Sequence, residues 1–251
     1  MAQETIWIIG GGSGIGRALA ERYAAAGALV AVSGRRLSAL SETAAARPDR
    51  IRSFPLDVTD GAATEGCVAA IEQALGPIDL AILSAGRFAP SWAQNFDRTA
   101  FRAEIETNLI GVGNALDPLL KRMLARRRGT IAIVASVAGY RGLPGAAAYG
   151  AGKAALINLA EALAPEARRF GVRVMVVNPG FVRTPMTAAN DFPMPFLMEV
   201  DEAARRIQRG IAAGGFEIAF PRRFAWLLKL GRCLPARLYF ALTRRMVRSP
   251  R

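Results

Sequence analysis

The stretch "TIWIIGGGSGIGRALAERYAAAG", residues 5–27, decides the fold. Its first five residues read as a buried strand. Gly10, Gly14 and Gly16 then form a G-x-x-x-G-x-G turn, and Ala, Leu, Glu and Arg follow at helical spacing. Glycines at such a turn allow it to be tight and let a pyrophosphate approach the backbone, where the positive end of the helix favours the anion. Gly10, Ser13, Gly14, Ile15 and Gly16 are the candidate phosphate-binding residues. Glycine turns also serve loops and close packing, so the position between strand and helix is what gives this one weight.

The same rhythm continues along the chain. "LVAVSG" (29–34), "IRSFPLDV" (51–58), "IDLAILSAG" (78–86), "GTIAIVAS" (129–136), "VRVMVVNPG" (172–180) and "FEIAF" (216–220) read as further strands. Most are separated by helical stretches of about 12 to 30 residues. Apolar strands alternating with helices predict a Rossmann-type, doubly wound parallel sheet of about seven strands, with helices on both faces. No Pro/Gly linker or repeat divides the chain. The expected organisation is one α/β unit over residues 1–221, with a basic tail at 222–251 belonging to the same unit.

Composition narrows the chemistry. The 251 residues are 52% hydrophobic and contain no histidine. That excludes Ser-His-Asp hydrolases, Cys-His nucleophiles and histidine-ligated metals. Cys67 and Cys233 have no metal-binding or redox spacing. The first residues lack a signal-like core and no membrane-spanning run occurs, so the sequence predicts a cytoplasmic protein. The net charge of +13 is uneven, with nine Arg or Lys and no Asp or Glu from Phe220 onward.

The second strand ends in Gly34, Arg35 and Arg36. A carboxylate there accepts from the ribose 2′-hydroxyl of NAD, whereas a guanidinium binds the 2′-phosphate of NADP. The pair therefore favours NADP(H) over NAD(H); two solvated arginines are the plain alternative. Asp57 in "LDVTD" either receives an adenine amino group or caps the helix that begins near Asp60.

Taken together the motifs resemble the short-chain dehydrogenases/reductases in their single-domain form. The resemblance spans about residues 5–220 and rests on seven motifs in order. They are the glycine turn, "LDVTD", "SAG" (84–86), "TNLIG" (107–111), "ASVAG" (135–139), "YGAGK" (149–153) and "NPGFVRT" (178–184). It implies an NAD(P)(H)-dependent oxidoreductase that interconverts a carbonyl and an alcohol. Tyr149 would be the acid/base, and Lys153, one helical turn on, would stabilise the phenolate and hold the nicotinamide ribose. Ser136 would donate to the substrate oxygen, and Asn108 would organise a water relay to Lys153. Asp57, Val58, Ala85 and Gly86 would contribute to the cofactor site, while Pro179, Gly180, Val182 and Thr184 would pass beneath the nicotinamide. Small residues around Tyr149 would admit cofactor and substrate, or pack against a second subunit. A homodimer or homotetramer follows from the resemblance. In isolation the dyad reads equally as a surface Tyr and Lys on an alanine-rich helix. Ile9 and "Leu83-Ser84" depart from the family's usual threonine and Asn-Asn, which bears on the cofactor loop and leaves the catalytic set intact.

Substrate is less legible. "PMTAANDFPMPFLMEV" (185–200) aligns with the family's lid, and its Met and Phe residues favour an apolar carbonyl or alcohol; core or subunit packing is the alternative. In the tail, a helix from Pro235 would place Arg237, Arg244 and Arg248 on one side and Leu238, Tyr239, Leu242 and Met246 on the other. Such a segment fits peripheral membrane contact, a cover for the pocket, or a subunit interface. No nucleic-acid motif accompanies the charge. A non-catalytic NADP(H)-binding regulator and a membrane-peripheral interaction protein stand beside the enzyme as alternatives.

Overall fold

A computed structural model describes residues 3–188 and 190–247. All seven anticipated strands are present: β1 Thr5–Ile9, β2 Leu29–Gly34, β3 Ile51–Pro55, β4 Leu80–Leu83, β5 Gly129–Val134, β6 Val172–Pro179 and β7 Glu217–Phe220. They form one parallel sheet in the order β3-β2-β1-β4-β5-β6-β7. Several strands end earlier than their apolar runs, two of them by three residues. The run to Val58 leaves the sheet after Pro55, and the run to Gly86 leaves it after Leu83. In both places the chain turns over the carboxyl edge of the sheet, where apolar residues line a cleft instead of pairing.

Alternation along each strand sorts side chains to the two faces. Trp7 and Ile9 join the layer of α3 (Gly61–Leu75), α5 (Gly111–Ala125) and α6 (Ala147–Arg168), whereas Ile6 and Ile8 join that of α1 (Gly14–Ala25) and α8 (Val200–Ala213). Both faces are covered, which explains why the strands are apolar throughout rather than alternating with polar residues. The remaining helices are α2 (Leu37–Ala45), α4 (Arg98–Ile105), the short α7 (Pro185–Ala188), α9 (Arg222–Cys233) and α10 (Ala236–Thr243). The strand order reverses between β1 and β4, and a crevice forms at such a switch point beyond the carboxyl ends of the strands.

The tail is helical, and the structure distinguishes among the residues that the sequence places on its apolar side. Pro235 does precede a helix, α10. Of the four residues expected on its apolar side only Tyr239 is buried; Leu238, Leu242 and Met246 are exposed. The reason lies outside the helix. The Arg141 guanidinium sits 3.9 Å from the Tyr239 ring centroid, and the Tyr239 hydroxyl donates to the Gly142 carbonyl at 2.7 Å. These contacts set the rotation of the helix. Arg237 and Arg244 are exposed, and Arg248 lies outside the described residues. No helix among the described residues is long and apolar enough to cross a membrane.

Candidate active site

A cleft of about 420 Å³ opens over the switch point. Its floor is the glycine turn. Gly10 has φ +84°, and a Cβ on Gly16 would stand 2.2 Å from the Gly10 carbonyl oxygen, so neither position admits a side chain without moving backbone. Ser13 takes the N-cap position of α1, and Ile15 lines the cleft beside it. A phosphate group fits here, because the first turn of α1 presents backbone N–H groups and the turn carries no bulk.

Gly34, Arg35 and Arg36 line the same cleft from the end of β2. Arg36 Nη2 donates to Ser13 Oγ at 3.0 Å, which draws a guanidinium over the glycine turn. Asp57 and Val58 form the adjoining wall. The helix cap left open for Asp57 belongs to Asp60, whose Oδ1 accepts from the Ala63 N–H at 2.9 Å. Asp57 turns back on Thr59, accepting from its N–H at 3.0 Å and its hydroxyl at 2.9 Å. These hydrogen bonds, with nearby Arg35, hold its carboxyl below the ordinary value despite partial burial.

Ala85 and Gly86 continue the cleft beyond β4. The serine that departs from the family pattern is not idle: Ser84 Oγ donates to the Ile9 carbonyl at 2.8 Å and ties the ends of the two central strands. Ile9 is buried in the core.

Ser136, Tyr149 and Lys153 meet at the far end. Ser136 caps the 3-10 turn Val137–Gly139 by accepting from the Ala138 N–H at 3.1 Å. Tyr149 opens α6, and Lys153 follows one turn later, its Nζ donating to the Val134 carbonyl at 2.8 Å. The Lys153 ammonium lies 5.6 Å from the Tyr149 ring centroid. Burial pushes the phenol above its ordinary value; the facing Ser136 hydroxyl opposes that shift, and Glu104 adds to it. Burial pulls the Lys153 ammonium down to about 8. The small residues of this helix have a use on the opposite wall. A Cβ on Gly139 would stand 2.7 Å from the Lys153 carbonyl, so the turn carrying Ser136 rides directly on the helix.

Asn108 alone among the sequence-predicted residues does not line the cleft. It is fully buried in a π-helical turn, Glu106–Ile110, rather than in regular α-helix. Its Oδ1 accepts from the Arg87 N–H at 2.8 Å and its Nδ2 donates to the Arg87 carbonyl at 2.9 Å. One turn earlier the buried Glu104 accepts from the Ala89 N–H at 2.8 Å. These two side chains set the loop after Gly86, which brings the Phe88 ring edge-on to Tyr149 with centroids 5.3 Å apart. Neither Glu104 nor Phe88 was singled out in the sequence. The available signal was their spacing, four residues before Asn108 and two after Gly86, but it specifies no contact.

Pro179, Gly180, Val182 and Thr184 line the same cleft, joined by Met186 and Thr187. The segment after α7 is stitched back by the bridge between Val182 and Met198, and Phe181 lies 6.0 Å from Phe192. Among the described residues no cluster of His, Cys, Asp or Glu has metal-binding geometry.

Comparison with known proteins agrees with this geometry. The family model for short chain dehydrogenases matches residues 4–192. The chain is 38% identical over 249 residues to an uncharacterized oxidoreductase of Myxococcus xanthus, covering 98% of each chain. It is 35% identical over 185 residues to the 3-oxoacyl-[acyl-carrier-protein] reductase FabG of Escherichia coli, covering 72% of this chain and 75% of that one. Among solved structures, a short-chain dehydrogenase from Streptomyces avermitilis superposes with a TM-score of 0.85 at 27% identity, over 98% of both chains. A single-residue variant of the actinorhodin polyketide ketoreductase, solved with NADPH, gives 0.79 at 27% identity, over 87% of this chain and 95% of that one. With a parallel sheet of the same kind, a glycine turn at its switch point and this match over most of its length, the chain belongs to the short-chain dehydrogenase family of nicotinamide-dependent oxidoreductases.

Proposed function

We propose that the protein is an NADP(H)-dependent reductase or dehydrogenase acting on an apolar carbonyl or alcohol, with Tyr149 as its acid/base. One observation carries the reading. Ser136, Tyr149 and Lys153 stand at one end of a single cleft whose other end holds the glycine turn, Arg35 and Arg36. The nicotinamide supplies or accepts the hydride. The proton at the substrate oxygen is Tyr149's to give or take. Lys153 favours the phenolate by its charge and would hold the ribose hydroxyls of a bound nucleotide; Ser136 would donate to the substrate oxygen and fix its approach. Asn108 and Glu104 act through the loop they hold, as positioning residues.

The guanidinium of Arg36 drawn over Ser13 supports NADP(H), since the same wall carries no carboxylate aimed at a 2′-hydroxyl. Phe88 beside Tyr149 and Met186 on the cleft wall support an apolar substrate. The tail packs on the loop after Ser136 through Arg141 and Tyr239, which supports one functional unit over residues 1–221 with 222–251 attached. The relatives that reduce 3-oxoacyl groups or polyketides make a β-keto substrate the first to try.

The deciding experiment follows NADPH and NADH oxidation across a panel of apolar ketones, aldehydes and β-keto esters, with Tyr149→Phe as control. Turnover with NADPH that disappears in Tyr149→Phe is expected. Turnover undiminished in that variant overturns the assignment of the acid/base. Cofactor binding without turnover on any substrate favours a non-catalytic regulator.

A further inference from the structure

The last two helices present a face that the fold does not use. On α9, Trp226, Leu227 and Leu230 are 63 to 69% exposed, and on α10 Leu238, Phe240 and Leu242 are 57 to 65% exposed. On α9, Trp226 and Leu230 are four residues apart and share a face that Leu227 adjoins; on α10, Leu238 and Leu242 are four residues apart and share a face, while Phe240 projects from another side of the helix. Arg222, Arg223, Arg232, Arg237, Arg244 and Arg245 are exposed around them, and no Asp or Glu follows Glu217.

Both helices are held from behind. Phe224, Ala225 and Leu228 pack on the core, and Lys229 pairs with Glu217. Arg141 donates to the carbonyls of Gly231, Arg232 and Leu234 at the end of α9. Phe224 also lies 6.0 Å from Phe181 and 5.8 Å from Phe196, which places the helix against the segment flanking the cleft. The outward side chains are therefore preset rather than awaiting a folding step.

The geometry points to the headgroup region of an anionic lipid bilayer as the occupant of this face. Large apolar side chains beside arginines, with no carboxylate among them, match the layering of such a surface: acyl chains below and anionic headgroups above. A second copy meeting this face across a two-fold axis would set arginines against arginines. Nucleic acid would match the charge but leave the Trp, Phe and Leu side chains in water. Docking here requires neither turnover nor bound nucleotide.

The test is co-sedimentation of the full chain with phosphatidylglycerol–phosphatidylcholine vesicles and with phosphatidylcholine vesicles alone, at low and high salt. Binding to the anionic vesicles only, weakened by salt, is expected, with a blue shift of fluorescence that is absent in Trp226→Phe. Each arginine at an anionic surface strengthens binding about fivefold, so Arg222→Glu, Arg223→Glu and Arg237→Glu together lower affinity by on the order of a hundredfold or more. Leu227→Ser with Leu230→Ser also releases the protein, and because both sites are exposed its melting temperature stays that of the parent. Protein that remains in the supernatant with anionic vesicles overturns the proposal. So does vesicle binding undiminished in both sets of variants, since another surface is then responsible. A self-association abolished by the leucine variants without vesicle binding assigns the face to a second copy, and capture only by an acidic protein assigns it to that class; either result overturns the lipid reading.

Discussion

Asn108 holds the backbone of Arg87 from both sides, accepting from its N–H at 2.8 Å and donating to its carbonyl at 2.9 Å. A side-chain amide is one of the few groups that can replace a missing strand neighbour in this way. Asn108→Ala leaves two polar backbone groups short of partners in a partly buried place. Unfolding in urea is expected to show a loss of about 2 to 4 kcal/mol. Activity falls with it, because the same loop carries Phe88 to Tyr149; a stable variant with full activity counts against this role.

Tyr149→Phe removes the hydroxyl and little else, since the ring keeps its edge-on packing against Phe88. Turnover is expected to fall by roughly 10²- to 10⁴-fold, the usual contribution of one positioned acid/base. Nucleotide affinity, followed by fluorescence titration, stays within a few-fold. Equal losses in both measurements would mean that the hydroxyl serves binding rather than chemistry.

Lys153 links the chemistry to pH. Its folded value is pulled down to about 8 by burial, from an ordinary 10.5. Carbonyl reduction is expected to decline above about pH 8, where the ammonium beside the phenol loses its proton. Stability follows the opposite course. Below about pH 8 both folded and unfolded chains carry the proton, and the burial penalty is present in full. Between about 8 and 10.5 the unfolded chain binds the extra proton, so folded stability rises with pH. Unfolding of wild type and Lys153→Met, measured across that window, should show wild type gaining on the variant; a constant difference contradicts it.

Arg36 reaches Ser13 Oγ at 3.0 Å, and Arg35 adds its charge near Asp57. Arg35→Ala with Arg36→Ala is expected to raise KM for NADPH by about ten- to a hundredfold, the range of one or two charge-assisted hydrogen bonds. KM for NADH changes little. Steady-state kinetics with both nucleotides decide the matter, and parallel changes in the two would show that the arginines do not select the 2′-phosphate.

Glu217 gathers three donors: Lys229, the Tyr140 hydroxyl at 2.5 Å and Asn178 Nδ2 at 2.8 Å. Burial alone would raise its carboxyl, but these hydrogen bonds, that from Lys229 foremost, carry it below the ordinary 4.5. The stability it contributes is present above the ordinary carboxylate range and disappears as pH falls through the lowered folded value. The gap in melting temperature between wild type and Glu217→Gln should therefore close in acid. A gap independent of pH would rule out the charge as its source.

Periodicity and glycine spacing by themselves determined the parallel sheet, its seven strands and the cleft at its edge. Each of those rests on interactions between near neighbours: alternation along a strand, or a turn that admits no Cβ at Gly16. One helical turn relates Tyr149 to Lys153, whereas the addition of Ser136 to that pair rests on the resemblance to the family rather than on any local pattern. What only the tertiary structure decided lies between residues distant in the chain. Asn108 holds the Arg87 backbone, Glu104 holds Ala89, and Asp60 rather than Asp57 caps α3. The tail shows the same limit, because a helical wheel groups Leu238, Tyr239 and Leu242 on one side without saying which of them packs inward. Arg141, 98 residues before Tyr239, draws that ring in and leaves Leu238 and Leu242 exposed. Local patterns report which side chains share a face; packing against partners far along the chain decides where that face points.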